Sequence, residues 1–94
     1  MGELPAIHLL ESTHRFPCPY TFKVIGRTDL GFVARTVAAV RDALGDAEDP
    51  PYRVRESVGG RHIAVTIEPR VQTAQQVLAV YRRLSATIGL VMLW

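Results

Sequence analysis

The spacing of apolar residues in this chain changes twice from the two-residue period of a strand to the 3.6-residue period of a helix. The first helical stripe, over residues 29–44, has steps of three and four: Leu30, Val33, Val37, Val40 and Leu44. A second stripe over residues 74–84 has similar spacing. Alternating segments flank each stripe, so the chain is predicted to contain two strand–helix–strand units.

Four alternating segments are predicted to be strands, at residues 20–25, 52–57, 62–68 and 90–94. Gly26 is expected to end the first of them. Gly59 and Gly60 favour a hairpin between the second and third. Thr73 and Gln76 have the spacing of a capping box, in which side chains satisfy free backbone N–H groups at a helix start.

The order strand, helix, strand, strand, helix, strand predicts an α+β fold of the ferredoxin-like type. In this βαββαβ sandwich, two helices cover one face of a four-stranded antiparallel sheet, and the first and third strands are central. The chain has 94 residues, enough for one such domain. The domain is predicted over residues 16–94, and residues 1–15 are an extension that forms either a loose arm or a short helix.

The other face of this sheet is predicted to be open. The polar and basic side chains expected there are Lys23, Arg53, Arg55, His62 and Thr66. They would bind a carboxylate or a protein partner, or they are only a solvated surface. Phosphates of nucleic acid are a further possible ligand. RNA-recognition domains stack bases on aromatic residues of the central strands, however, and this open face is predicted to have none there, so nucleic-acid binding ranks lower.

The two outer strands differ in charge. Residues 90–94 have no charged side chain, whereas Arg53 and Arg55 lie in the second strand. Charged residues discourage pairing with a foreign strand, and an uncharged apolar edge favours it. A homodimer through the edge from Leu90 to Trp94 is therefore predicted. The alternative is that the N-terminal extension covers this edge.

Composition and cysteine content bear on location. Cys18 is the single cysteine, so no intrachain disulfide can form. The first ten residues do not have the pattern of an export signal, and no apolar stretch is long enough to span a bilayer. We therefore expect a cytoplasmic protein that does not associate with membranes.

Candidate catalytic groups are few. The acylphosphatase form of this fold needs an Asn to orient water, and the chain has no Asn. Cys18 lies between two prolines, and together with His14 it makes only half of a metal site. No glycine-rich phosphate-binding loop is present. We therefore expect no enzymatic activity, no catalytic residue, no metal and no cofactor.

Three segments are similar to those of a known family. Residues 15–26 (RFPCPYTFKVIG) match its opening segment, residues 57–67 its central hairpin and residues 76–84 its second helix. On these segments the chain resembles the YbeD-like family of small bacterial proteins of unknown function, over about residues 15–94. The resemblance implies a ferredoxin-like fold close to the regulatory ACT domains, and no established chemistry.

A second resemblance is local. Asp29, Leu30, Gly31 and Phe32 are similar to the loop-to-helix segment where ACT domains bind amino acids, although Leu30 replaces the expected Pro. This similarity implies a ligand site at these four residues. Gly31 lets a ligand approach the backbone, and free N–H groups at a helix start hold carboxylates. The alternative is that Gly31 only permits close helix–sheet packing.

The function predicted from these features is a non-enzymatic regulatory or adaptor module that binds a small metabolite or a protein partner. The alternative is a weak nucleic-acid-binding protein that uses the basic open face of the sheet.

Overall fold

A computed structural model describes residues 5–29, 31–57 and 59–94. The helices in these residues are α1 (Ile7–Thr13), α2 (Phe32–Leu44) and α3 (Ala74–Ser85). The strands are β1 (Cys18–Pro19), β2 (Phe22–Arg27), β3 (Tyr52–Glu56), β4 (His62–Ile67), β5 (Arg70–Val71) and β6 (Leu90–Leu93). The main sheet has the order β3–β4–β2–β6, with every pair antiparallel, and β1 and β5 form a separate two-stranded ladder.

The ferredoxin-like prediction is confirmed. The βαββαβ series is β2, α2, β3, β4, α3 and β6, and the first and third of its strands, β2 and β4, are central in the sheet. The Gly59–Gly60 turn joins β3 to β4, and both glycines have positive φ angles, as a tight hairpin turn requires. Thr73 caps α3 as predicted, because its Oγ1 accepts a hydrogen bond from the Gln76 backbone N–H at 3.2 Å.

Alternation along the two central strands separates a covered face from an open one. Phe22 and Val24 of β2, together with Val65 and Ile67 of β4, have no exposed surface. Helices α2 and α3 lie on that side and add buried residues of their own, including Val40, Val77 and Leu84. The intervening residues of both strands are only partly buried or exposed. The hydrophobic core therefore lies on one side of the sheet.

Strand β2 differs from its prediction because it continues through Gly26 to Arg27. The residue at position 26 must lack a side chain, since a Cβ there would lie 2.1 Å from Cζ of Phe32. Phe32 begins α2 and is completely buried. Gly26 therefore does not end the strand; it leaves room for an aromatic ring between the sheet and the helix.

Residues 1–15 were predicted to form a loose arm or a short helix; within the described residues 5–15, the structure shows the helix α1 over Ile7–Thr13. Leu10 of α1 is buried in the core. Beyond α1, a group of aromatic rings connects this segment to the sheet and to α3: His14 lies 5.1 Å from Tyr20, and Phe22 lies 5.0 Å from Tyr81, measured between ring centroids. Residues 7–13 are therefore part of the folded domain.

Candidate functional site

The predicted open-face residues lie on one side of the sheet because of the strand register. Lys23 pairs with Thr66 and Ile25 pairs with Ala64 across β2 and β4. On the other side of β4, Arg53 pairs with Thr66 and Arg55 pairs with Ala64. Residues paired in adjacent strands point to the same face, so these side chains form rows across the sheet.

Strand β6 completes two of these rows. Met92 pairs with Ile25, and the backbone of Trp94 exchanges two hydrogen bonds with Lys23, at 2.7 and 2.9 Å. We call the resulting rows the first and second rungs. The first rung is Arg53, Thr66, Lys23 and Trp94. The second rung is Arg55, Ala64, Ile25 and Met92.

All residues of the two rungs except Met92 line a concave surface that we call the open-face trough, and Met92 lies beside it. Its main part is a cavity of about 510 Å³ whose lining includes Lys23, Ile25, Arg53, Arg55, Ala64, Thr66 and Trp94. A second cavity of about 290 Å³ shares Ile25, Arg55 and Ala64 with the first and extends along the strands to His62 and Ser57. The small side chains of Ala64 and Thr66 make the middle of the face lower than its borders. The trough therefore follows the two central strands.

The borders of the trough are basic on one side and apolar on the other. Arg53 donates a hydrogen bond to Glu68 at 2.8 Å; the side chain of Arg53 is largely exposed to solvent, and that of Glu68 is partly exposed. Among residues 5–29, 31–57 and 59–94, the basic groups of Lys23, Arg27 and Arg55 have no ion-pair partner. Glu56 also lines the second cavity, so the basic side chains of the trough outnumber its carboxylates and internal pairs do not neutralise them.

The apolar border is formed by Met92 and Trp94, with exposed fractions of 55% and 48%. The sequence assigned Trp94 to edge packing and not to this face. A bulge between Ile25 and Gly26 shifts the pairing of β2 with β6 and aligns Met92 with Ile25. The alternation of the last strand indicates that Met92 and Trp94 lie on the same face of the sheet. Which face this is depends on the bulge, and nothing in the sequence predicts the bulge.

All five predicted open-face residues are brought together on this side of the sheet. Arg53, Arg55, Lys23 and Thr66 line the main cavity, and His62 lies at the far end of the second one. Their role in binding stays a prediction.

The predicted ligand site at the start of α2 has a different geometry. One oxygen of Asp29, Oδ1, accepts a hydrogen bond from the Gly31 backbone N–H at 2.8 Å, and Arg35 lies 2.8 Å from the other oxygen, Oδ2. The Gly31 N–H, followed by Arg35, lowers the pKa of the Asp29 carboxyl below its usual value. The protein's own carboxylate therefore occupies the position that the prediction gave to a ligand's carboxylate.

The ring of Phe32 is completely buried against Gly26 and belongs to the core. The predicted contact of Phe32 with a ligand stays a prediction. The adjacent Leu30 lies outside the described residues. Arg35 also donates a hydrogen bond to the Ile88 carbonyl at 3.1 Å, so it connects the start of α2 to the turn before β6. This segment thus has a structural role in the described chain.

Cys18 and His14, which the sequence analysis treated as half of a metal site, lie near the aromatic group. Cys18 is partly buried in β1, where it pairs with Val71. His14 Nδ1 lies 3.0 Å from Thr13 Oγ1 and 3.3 Å from the Leu10 carbonyl oxygen, so the end of α1 orients this ring. In the described part of the chain, no group of three or more His, Cys, Asp or Glu side chains is arranged to hold a metal ion.

A comparison with known protein families identifies the family of this chain. A family model described as "Protein of unknown function (DUF493)" matches residues 11–93. The chain belongs to the DUF493 family. The YbeD-like resemblance seen in the sequence is thereby confirmed, since the family's curated relatives are small bacterial proteins called UPF0250.

Three of these relatives cover most of the domain. A UPF0250 protein of Paraburkholderia phytofirmans is 28% identical over 75 residues, which are 80% of this chain and 84% of the relative. The UPF0250 protein NE1487 of Nitrosomonas europaea is 26% identical over 74 residues, 79% of this chain and 85% of the relative. A UPF0250 protein of Chromobacterium violaceum is 31% identical over 70 residues, 74% of this chain and 79% of the relative.

Membership of DUF493 assigns no activity, since the family is one of proteins of unknown function. No helix within the described ranges is both long enough and apolar enough to cross a bilayer. For this DUF493 member, a functional proposal must therefore come from the chemistry of its surface.

Proposed function

We propose that this protein is a non-enzymatic regulatory or adaptor module and that the open-face trough is its binding surface. The observation that carries this proposal is a concave surface with a basic border on the side of the sheet opposite the helices. Ile25 and Ala64 offer apolar area in its floor, while Arg53, Arg55 and Lys23 offer hydrogen-bond donors to an anion. Few polar groups around an apolar floor are typical of sites that orient a ligand.

The two arginines of the trough support binding rather than proton transfer. An arginine guanidinium stays protonated at any physiological pH, so Arg53 and Arg55 cannot act as general bases. What they provide is a planar set of donors that matches a carboxylate or a phosphate. We therefore propose an anionic ligand, either a small metabolite or an acidic segment of a protein.

The proposal is tested with variants that reverse the charge of the trough. A thermal-shift screen of anionic metabolites, together with affinity capture from a lysate of the source cells, is performed on the wild type and on Arg55→Glu. The matched control is Arg82→Glu, which reverses the same charge on the exposed side of α3. We expect a ligand or partner that Arg55→Glu loses and Arg82→Glu retains. If both variants bind every ligand as the wild type does, the proposal is wrong.

A second candidate function is weak binding to nucleic acid, and the position of Trp94 favours it. An exposed indole beside basic side chains provides a surface on which a base can stack. Trp94 is the only tryptophan of the chain, so its fluorescence reports occupancy of the trough directly. Quenching by single-stranded RNA that weakens steeply between low and moderate salt would support this function. Unchanged fluorescence at both salt concentrations would exclude it.

We also propose that the protein self-associates through β6. This strand pairs only with β2 in the described sheet, and Val91 and Met92 are exposed beside it. Pairing of two β6 edges would extend the sheet and leave the trough accessible. Light scattering at high micromolar concentration should show a dimer for the wild type and a monomer for Val91→Lys, since a lysine at the edge discourages pairing. A wild-type monomer at that concentration would contradict the proposal.

A further inference from the structure

We infer that the open-face trough docks an acidic amphipathic helix of a partner protein. This inference rests on the proposed function, because it assigns an occupant to the same surface. It follows from the backbone pairing, the dimensions and the charge of the trough.

The backbone of the trough excludes an extended peptide as the occupant. Strands β2 and β4 are each paired on both sides, so their N–H and C=O groups are already used within the sheet. An extended peptide gains its affinity mainly from main-chain hydrogen bonds to a free sheet edge, and none are offered on this face. A segment that binds here must satisfy its own backbone groups, as an α-helix does.

The width of the trough fits a helix. Its borders are strands β3 and β6, which three interstrand gaps separate. At about 4.8 Å for each gap, the borders lie roughly 14 Å apart. A helix with its side chains measures about 10–12 Å across. It would therefore lie between the arginines of β3 and the apolar side chains of β6, along the floor formed by Lys23, Ile25, Ala64 and Thr66.

The openness of the trough argues against a small metabolite as its main ligand. Sites for small molecules typically enclose most of the ligand's surface. Here Arg53, Arg55, Met92 and Trp94 are all exposed, and the two cavities lie side by side, sharing Ile25, Arg55 and Ala64. An occupant that touches both rungs at once must be elongated, and a small metabolite is too short for this.

The charge of the trough indicates that the bound helix is acidic. Lys23, Arg27 and Arg55 have no ion-pair partner among the described residues, so a partner's carboxylates would be their counter-ions. Arg53 and Arg55 are two residues apart on one strand, which separates them by about 6.8 Å. Acidic residues four apart on a helix are separated by about 6.0 Å along its axis. A helix with an i, i+4 acidic pair on one flank therefore matches both arginines.

The same charges disfavour a second copy of this chain on the open face. Stacking two such faces would bring the unpaired basic groups of both copies together in one interface, and juxtaposed like charges oppose association. Self-association through the β6 edge does not have this problem, because it leaves both open faces free.

The first test is site-specific photo-crosslinking in the source cells. The photoreactive residue p-benzoylphenylalanine replaces Met92 or Thr66, one at a time, in the full chain. The matched control has the same residue at position 82, on the exposed side of α3. We expect both open-face positions to crosslink to one protein segment with a helical apolar stripe and an i, i+4 acidic pair. Position 82 should not reach that segment.

The second test measures the affinity of the crosslinked segment as a synthetic peptide. Its dissociation constant is read from Trp94 fluorescence with the wild type, Arg55→Glu and Arg82→Glu. We expect at least tenfold weaker binding to Arg55→Glu and less than a twofold change for Arg82→Glu. Equal binding to all three proteins would overturn the inference. A peptide of the same composition with its sequence scrambled must bind at least tenfold more weakly; equal binding of this peptide would also overturn it.

Failure of this inference can be separated from failure of the proposed function. If the open-face positions crosslink only to nucleic acid or to a non-helical or basic protein segment, the helix inference is wrong while the trough remains a binding surface. The same conclusion follows if they give no protein crosslink but an anionic metabolite alters Trp94 fluorescence in the wild type and not in Arg55→Glu. If nothing binds the trough in either assay, both the inference and the proposed function are wrong.

Discussion

The two faces of the main sheet are made from the same strands and yet have opposite properties. On the covered face, Phe22 and Val24 are completely buried beneath α2 and α3. On the open face, their neighbours Lys23 and Ile25 are exposed and half-buried respectively. Because side chains of a strand alternate between faces, adjacent residues serve different purposes. The covered face stabilises the fold, and the open face is the surface that we propose for recognition.

This comparison implies a division of mutational effects. Substitutions on the covered face should lower the free energy of unfolding and leave the chemistry of the trough unchanged. Substitutions on the open face should change the chemistry of the trough and leave the free energy of unfolding nearly unchanged.

Phe22→Ala should have the largest effect on stability. Phe22 is completely buried and lies 5.0 Å from Tyr81 and 4.8 Å from Tyr20, measured between ring centroids. Removing a buried aromatic ring costs about 3–5 kcal/mol, through lost burial and the cavity that remains. Urea denaturation should show this loss as a lower midpoint. A loss below about 1 kcal/mol would mean that the covered face is not the source of stability.

Gly26→Ala should destabilise the protein by about 1–3 kcal/mol, the usual cost of overpacking a core. The added methyl group would lie 2.1 Å from the Phe32 ring, so the helix start or the ring must shift. A double-mutant cycle with Phe32→Leu measures this conflict. The second substitution should cost less in the Gly26→Ala background than in the wild type, since a smaller side chain leaves room for the methyl group. Additive losses would show that the two residues do not contact each other in solution.

Val24→Ala and Ile25→Ala compare the two faces at adjacent positions. Val24 is completely buried, so its truncation should cost about 2 kcal/mol. Ile25 is larger but only partly buried, and its truncation should cost about 1 kcal/mol or less. Only Ile25→Ala should weaken binding in the trough. Urea denaturation and a binding assay on both variants measure these two effects. A larger loss of stability from Ile25→Ala than from Val24→Ala would contradict the account.

Ionisation of Tyr81 is expected to make the free energy of unfolding depend on pH in the alkaline range. Burial, together with the hydrogen bond to Tyr20 at 3.4 Å, raises the pKa of the Tyr81 hydroxyl above its usual value. Below about pH 10, both folded and unfolded states keep this proton. Above it, the unfolded state ionises first, so the free energy of unfolding falls as the pH rises.

Tyr81→Phe should therefore lose less stability than the wild type between pH 8 and pH 11. The control is Tyr52→Phe, which removes the hydroxyl of an exposed tyrosine on β3. Denaturation midpoints at each pH provide the measurement. Identical slopes for the wild type and Tyr81→Phe would show that the buried hydroxyl does not couple ionisation to folding.

Arg55→Gln should have the smallest effect on stability. Its side chain is exposed and has no ion-pair partner among the described residues, so the change should stay within about 0.5 kcal/mol. Arg53→Gln breaks the exposed pair with Glu68 and should cost at most about 1 kcal/mol. Larger losses from either variant would mean that the open face also contributes to folding.

The periodic parts of the sequence were sufficient to predict the architecture. The strand order, the two helices and the faces of β2 and β4 follow from periods that the core imposes over many residues. The five predicted open-face residues were found for the same reason, since they occupy the positions between the apolar ones.

Features that depend on single contacts could not be predicted in this way. The ladder of β1 and β5 has two residues in each strand, too few to show a period. Phe32 was assigned to a ligand because nothing local reveals that Gly26, on another element, makes room for its ring. The face reached by Met92 and Trp94 depends on a bulge in the β2–β6 pairing. These are tertiary contacts, which a pattern along one chain does not contain.

Methyl NMR in a lysate of the source cells tests the central claim most directly. Isotope labels on the methyl groups of Ile25, Ala64 and Met92 report on the open face, and those of Val24 and Val65 report on the covered face. We expect signals of the open face to shift or broaden in the lysate, while those of the covered face keep their positions. Unchanged open-face signals, or changes confined to the covered-face signals, would contradict the account.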